Sequence, residues 1–133
     1  MSIGMFESFV TGHWFSADAK RLWSDLATLQ AWLTVEAALA RAQADLGIIP
    51  KESAERIAAC AKLTLMDRAR IDEADKRTGH TIVPLVWELS RICGEPAGGW
   101  VHWGATTQNI VQTGDLLVPV SYTHLTLPTI LRV

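Results

Sequence analysis

Residues 22–50 read "LWSDLATLQAWLTVEAALARAQADLGIIP". In this stretch Leu26, Leu29, Leu33, Ala37, Ala40 and Ala44 recur at steps of three and four, which places them on one stripe of an α-helix. The spacing predicts a helix from about Asp25 to Leu46, with Gly47 as its C-terminal stop.

The same logic extends in both directions. Ser16 is placed to cap a short helix over "ADAKRLWSD", and Asp18 sits in its first turn, where the helix dipole favours negative charge. Pro50 suits the first turn of "PKESAERIAACAKL", whose stripe is Ala54, Ile57, Ala58 and Ala61. "MDRARIDEADKRTG" is strongly charged, with Ala69, Ile71 and Ala74 as a thin inner face. Thr78-Gly79 breaks it, and "TIVPLVWELSRICG" reads as another helix, with Pro84 in its first turn and Gly94 closing it. "EPAGGWVHWGATTQ" is a loop by its Gly and Pro content, and a further helix begins at Thr106 or Thr107. The expected class is all-α, built of helical hairpins.

At 133 residues the chain is long enough for one domain with a buried core. A formal charge of −2 gives no electrostatic footprint for nucleic acid or an anionic membrane. No uncharged run approaches the ~20 residues of a membrane span, and "MSIGMFESF" lacks the basic-then-apolar pattern of a secretory signal. The expectation is a cytoplasmic protein. Cys60 and Cys93 make no metal-ligand pattern and are expected as reduced, buried thiols; neither a metal nor a cofactor is expected. The six scattered Trp are expected mainly as packing residues.

Chemistry gathers in the C-terminal third. Thr106 and Thr107 at a helix start offer hydroxyls and free backbone N–H groups pointing the same way, an arrangement suited to a carboxylate or phosphate. Gly104 lets a ligand approach the backbone. His80 and His102 lie in Gly-containing loops, where an imidazole can donate to an anion or move a proton. Ser/Thr at a helix start is far more often an ordinary cap than a ligand site. His13, beside Trp14, has no polar companions and is read as structural.

"GGWVHWGATTQNIVQTGDLL" resembles a signature block of the fumarase/aspartase superfamily, whose adenylosuccinate lyase and carboxymuconate cycloisomerase branches carry a "VHxGxTSxDxxDT" pattern. Residues 22–50 resemble that family's N-terminal helical segment, so the resemblance covers about residues 5–117. It implies an all-α homotetramer with a central bundle of long helices and active sites assembled from three subunits. The implied chemistry is anti β-elimination releasing fumarate from a small polycarboxylate, or the related lactonising and ring-opening reactions. The implied substrate-binding residues are His80, His102, Thr106, Thr107, Gln108 and Asn109.

This sequence departs from the pattern in places. Thr107 replaces a Ser and keeps the hydroxyl, whereas Asn109 and Gln112 stand where the pattern carries two acids. "SFVTGHWFSAD" has no match to the Arg-Tyr-Ser that adenylosuccinate lyases use near the nucleotide phosphate, which favours a cycloisomerase-like or small-acid lyase. The family's catalytic acid histidine and its mobile serine loop have no counterpart here. The resemblance therefore implies the binding rim of a site, a chain inactive alone, and no catalytic residue within it. The alternative is a non-catalytic helical interaction module.

The final stretch, "PVSYTHLTLPTILRV", changes composition to Thr, Leu, Pro and β-branched residues without a carboxylate. Val120 to Thr129 is what GTC TCT TAT ACA CAT CTG ACG CTG CCG ACG encodes, a string resembling a transposase-end adapter of shotgun sequencing libraries. There the next base is A, followed by a short index and then GTGTAG; read in frame, these supply Ile130–Arg132, Val133 and a stop. The expectation is a lyase portion over 1–118 and an artefactual tail over 119–133, with Tyr122 and His124 excluded from any site.

Overall fold

The computed structural model describes residue 6 and residues 8–130, and side chains as far as residue 121 and at 123. Among these residues there are six α-helices and no strand: α1 (Ala17–Leu22), α2 (Asp25–Asp45), α3 (Lys51–Cys60), α4 (Arg68–Thr78), α5 (Ile82–Cys93) and α6 (Thr107–Ile130). Short 3₁₀ turns lie at Gly12–Trp14, Leu63–Leu65 and Ala97–Trp100. No described helix is long and apolar enough to cross a membrane.

Local chemistry accounts for most helix ends. Ser16 Oγ accepts from Ala19 N (3.1 Å), Ser24 Oγ from Ala27 N (3.3 Å), and Asp67 Oδ1 from Ala69 N and Arg70 N (3.0 and 3.3 Å), so α1, α2 and α4 each begin on a capping side chain. Helix α2 ends in a Schellman motif: Gly47 N donates to Ala44 O and Ile48 N to Gln43 O, with Gly47 at φ +71°. Pro50 is the N-cap of α3 rather than its first helical residue. This is a one-position shift from expectation, since proline's missing N–H is tolerated at either place.

Helix α2 is the axis of the fold, packed by α3 on one side and α6 on the other. Its buried positions (Leu29, Trp32, Leu33, Glu36, Ala37, Ala40, Gln43, Ala44) cover a wider arc than the apolar stripe alone predicts, because two helices must be served. Leu26, expected in that stripe, is 60% exposed, one turn before the first buried position of α2. Ala69 of α4 is likewise exposed, while Ile71 and Ala74 are buried. The core centres on Leu33, Ile57, Ile82, Leu85 and Leu89; fully burying side chains of this kind contributes roughly 1.5–3 kcal/mol each.

Polar ties set the registers between helices. Gln30 spans α2 to the segment after α3, its Nε2 donating to Ala61 O (3.2 Å) and its Oε1 accepting from Leu63 N (2.8 Å). Arg56 donates to the carbonyls of Ile92 and Cys93, satisfying the otherwise open end of α5. Glu88, 4% exposed, accepts from Arg91, from Arg70 and from the backbone N–H of Asp67, locking α4 onto α5.

One expectation is corrected. Trp32 alone of the six tryptophans is buried; Trp14, Trp87 and Trp103 are 68%, 53% and 49% exposed, and Trp23 and Trp100 are half-buried. A tryptophan fills a core only where a partner helix covers it, which periodicity along one helix cannot report. Within the final stretch, α6 runs on through Pro119 and Pro128 to Ile130. Among its described side chains, Val118 is the last buried one, and 119–121 and 123 are exposed. The side chains of Tyr122 and His124 lie outside the described residues. Cys60 and Cys93 are free and buried, as the sequence suggested.

Candidate functional site

The loop from Val101 to Thr106 is held from beneath by two polar side chains of α2. Glu36 and Gln43 lie seven residues apart, two turns along one face, and both are buried in the seam beneath the loop. Glu36 Oε1 lies 2.5 Å from His102 Nδ1, and Gln43 Nε2 donates to Trp103 O at 2.6 Å. His102 adopts φ +60°, a left-handed conformation uncommon for a residue with a side chain. Such a conformation persists where surrounding contacts over-determine it, and the two α2 tethers supply those contacts. The ring is 15% exposed, with Nδ1 engaged and Nε2 without a partner among the described residues. Burial raises the Glu36 carboxyl above its ordinary range, against the opposing pull of His102.

The loop delivers the chain into α6. Thr106 and Asn109 bond to one another: Thr106 Oγ1 donates to Asn109 Oδ1 and accepts from Asn109 N (3.4 Å). Only half of a capping box is formed, because the Asn109 side chain accepts from the Thr106 hydroxyl and not from its backbone N–H. The Thr106 hydroxyl is therefore engaged in a cap, the ordinary fate of such a residue. Thr107 is half-buried, and Gln108 and Asn109 are exposed on the first turn.

His80 sits elsewhere. It is exposed between α4 and α5 and lines a cleft of about 630 Å³ with residues of α2, α4 and α6, among them Trp32, Asp115, Asp72 and Arg68. Trp32 Nε1 donates to Asp115 Oδ1 (3.3 Å), and Arg68 Nε to Asp72 Oδ1 (3.0 Å). None of His102, Thr106, Thr107, Gln108 or Asn109 lines this cleft. The predicted residues thus fall into two groups, His80 on the cleft and the others on the loop and the start of α6. The cleft is also acidic, with Asp25, Asp72, Asp75 and Asp115 against Arg68, so its field alone repels a polyanion.

Sequence reasoning missed Glu36, Gln43 and Asp115. In sequence, Glu36 and Gln43 look like ordinary polar positions of an amphipathic helix. Their one available signal was a place on the apolar stripe, Glu36 three residues from Leu33 and four from Ala40, and Gln43 three from Ala40.

No family model matches the chain. It is 44% identical over 102 residues to an N-acetyl-S-(2-succino)cysteine lyase of Enterococcus italicus, covering 77% of this chain and 22% of that protein. It is 40% identical over 101 residues to an adenylosuccinate lyase of Methanocaldococcus jannaschii, covering 76% and 22%. Its fold superposes on the crystal structure of 3-carboxy-cis,cis-muconate lactonizing enzyme from Pseudomonas putida with a TM-score of 0.77 and 34% identity, over 85% of this chain and 27% of that one. The chain belongs to the fumarase/aspartase superfamily. It spans about a quarter of the length of these superfamily relatives. The all-α architecture expected from the sequence is the superfamily's. Both a β-eliminating lyase and a lactonizing cycloisomerase stand among the similar proteins, so the sequence's lean toward the cycloisomerase side is not carried by similarity alone.

Proposed function

We propose that the chain is the carboxylate-binding portion of a lyase or cycloisomerase acting on a small polycarboxylate. The observation that carries this reading is the tethered His102 loop at the entry to α6, found in a chain whose relatives are named for such reactions. Removing a proton beside a carboxylate builds a dianion, which is stabilised by donors already aimed where charge develops. His102, Thr107 and the first-turn N–H groups of α6 supply donors; Gln108 and Asn109 add amides, and His80 would contribute only from the separate cleft. The cations and the acid–base pair come from elsewhere in the assembly, since the cleft contributes four aspartates and one arginine. The chain alone is inactive, and the intact enzyme is a cytoplasmic homotetramer. Leu26, Leu46, Trp87 and Leu116, all more than half exposed, are surface that further protein would cover. Residues from about Val120 onward are translated adapter.

The test is a chimera in which residues 1–118 replace the matching segment of the M. jannaschii adenylosuccinate lyase. The chain alone should release no fumarate from adenylosuccinate or N-acetyl-S-(2-succino)cysteine. The chimera should turn over, and His102→Ala within it should cost about 10²-fold in kcat/KM, the usual effect of losing one transition-state donor. A folded chimera indifferent to His102→Ala would end the proposal.

A further inference from the structure

Glu36 poses a problem that its structural role does not solve. It is 2% exposed, and its Oε2 is buried without a partner among the described residues. An ionised carboxylate in such a place, with half its acceptor capacity unmet, is costly unless its charge is neutralised. The neighbouring polar side chain on the same face of α2, Gln43, is uncharged, and His102 is the titratable group that acts on Glu36.

We propose that Glu36 is a positioning residue that makes His102 a fixed donor through Nε2, the pair holding one proton between Oε1 and Nδ1 and carrying no net charge. Three proton arrangements can be compared. Carboxylate with imidazolium, or carboxylic acid with neutral imidazole protonated on Nε2, are both neutral overall, and in both Nε2 carries a hydrogen. Carboxylate with neutral imidazole protonated only on Nδ1 leaves a net negative charge in the buried seam and turns a lone pair outward at Nε2. Burial selects against the third arrangement. Glu36 Oε1 and His102 Nδ1 are in direct hydrogen-bond contact, and the engaged Nδ1 leaves Nε2 as the presented atom.

The role this gives His102 rests on the carboxylate-binding reading above: a neutral pair presenting N–H attracts a carboxylate, whereas a net-negative pair would repel it. Gln43 acts in the same direction by tying Trp103 O, so the loop cannot carry the ring away from Glu36. The pairing itself is independent of any reaction.

The experiment is imidazole NMR on the ¹⁵N-labelled 133-residue chain, with His102→Gln used for assignment. At pH 7.5, about one unit above the ordinary histidine range, His102 should show a proton on Nε2 together with a resonance far downfield from the shared Nδ1 proton. Glu36→Gln should abolish the downfield resonance. An unprotonated Nε2 in the wild-type chain at pH 7.5 would overturn the proposal, as would a downfield resonance that survives in Glu36→Gln. The wild-type spectrum decides even if the variant fails to fold. Failure here would leave the chimera's turnover untouched, and an inactive chimera would leave the pair's proton count intact.

Discussion

Gly114 marks the closest approach of α6 to α2, and replacing it with alanine tests the packing that places the site. A Cβ built there overlaps Trp32 Cδ1, with Trp32 Nε1 at 3.2 Å and the Trp32 backbone N at 3.3 Å. The indole is buried and its Nε1–H is spent on Asp115, so it can yield only by shifting α6 or breaking that bond. Overpacking of this kind costs about 1–3 kcal/mol, and loss of the Trp32–Asp115 bond adds about 0.5–1.5 kcal/mol. Replacing a helical glycine returns about 1 kcal/mol in propensity. Gly114→Ala should therefore destabilise by about 0.5–3.5 kcal/mol net, a fall in Tm of roughly 2–17 °C for a chain of this size. Thermal unfolding followed by far-UV circular dichroism reads the effect. In Trp32→Leu, where the overlap is relieved, adding Gly114→Ala should cost less than it does alone. A Tm that rises with Gly114→Ala, or two costs that simply add, would refute the close α2–α6 contact.

Two further outcomes follow from buried ionisable groups. The Arg91 guanidinium, with the Asp67 backbone N–H and Arg70, holds the Glu88 carboxyl below its ordinary range against burial. Its stabilisation is complete above the unfolded carboxyl's range of about 4.3 and is lost as pH falls through the lower folded value. Glu88→Gln should flatten the acid limb of a stability–pH curve below about pH 4, and an unchanged limb would contradict the clamp. Burial, then the neighbouring Cys60, pushes the Cys93 thiol up to about 12. At pH 8 neither thiol should react with a disulfide reagent until the chain unfolds, and fast labelling of the native chain would show the seam between α3 and α5 to be open.

The helices were legible because their information is local. Ser16 caps where its side chain predicts, and Gly47 and Gly94 stop α2 and α5 through geometry that neighbours in sequence decide, whereas the caps at Ser24 and Asp67 lie within stretches read as helix. The site was legible only in outline. Thr106 and His102 could be named from their positions, but the tether beneath them joins residues 66 apart in sequence, and no periodicity in either segment announces it. Glu36 shows why: on a helix packed from two sides, a polar residue within the apolar stripe is indistinguishable from one at its solvent edge until the second neighbour is in place. The exposed Trp14, Trp87 and Trp103 illustrate the converse, since apolar character reports what could be buried and not what is present to bury it.

Helix α6 is continuous in its backbone and divided in its energetics. Up to Val118 its residues dock on α2, and their amides can open only when that interface does. Pro119 then withholds the N–H that the Asp115 carbonyl would take, and beyond it the hydroxyls of Ser121 and Thr123 donate back to the carbonyls of Leu117 and Pro119. Hydrogen exchange would therefore meet two cooperative units in one helix: a first half that opens with the whole fold and a second that frays by itself. The boundary between them is a single proline wide.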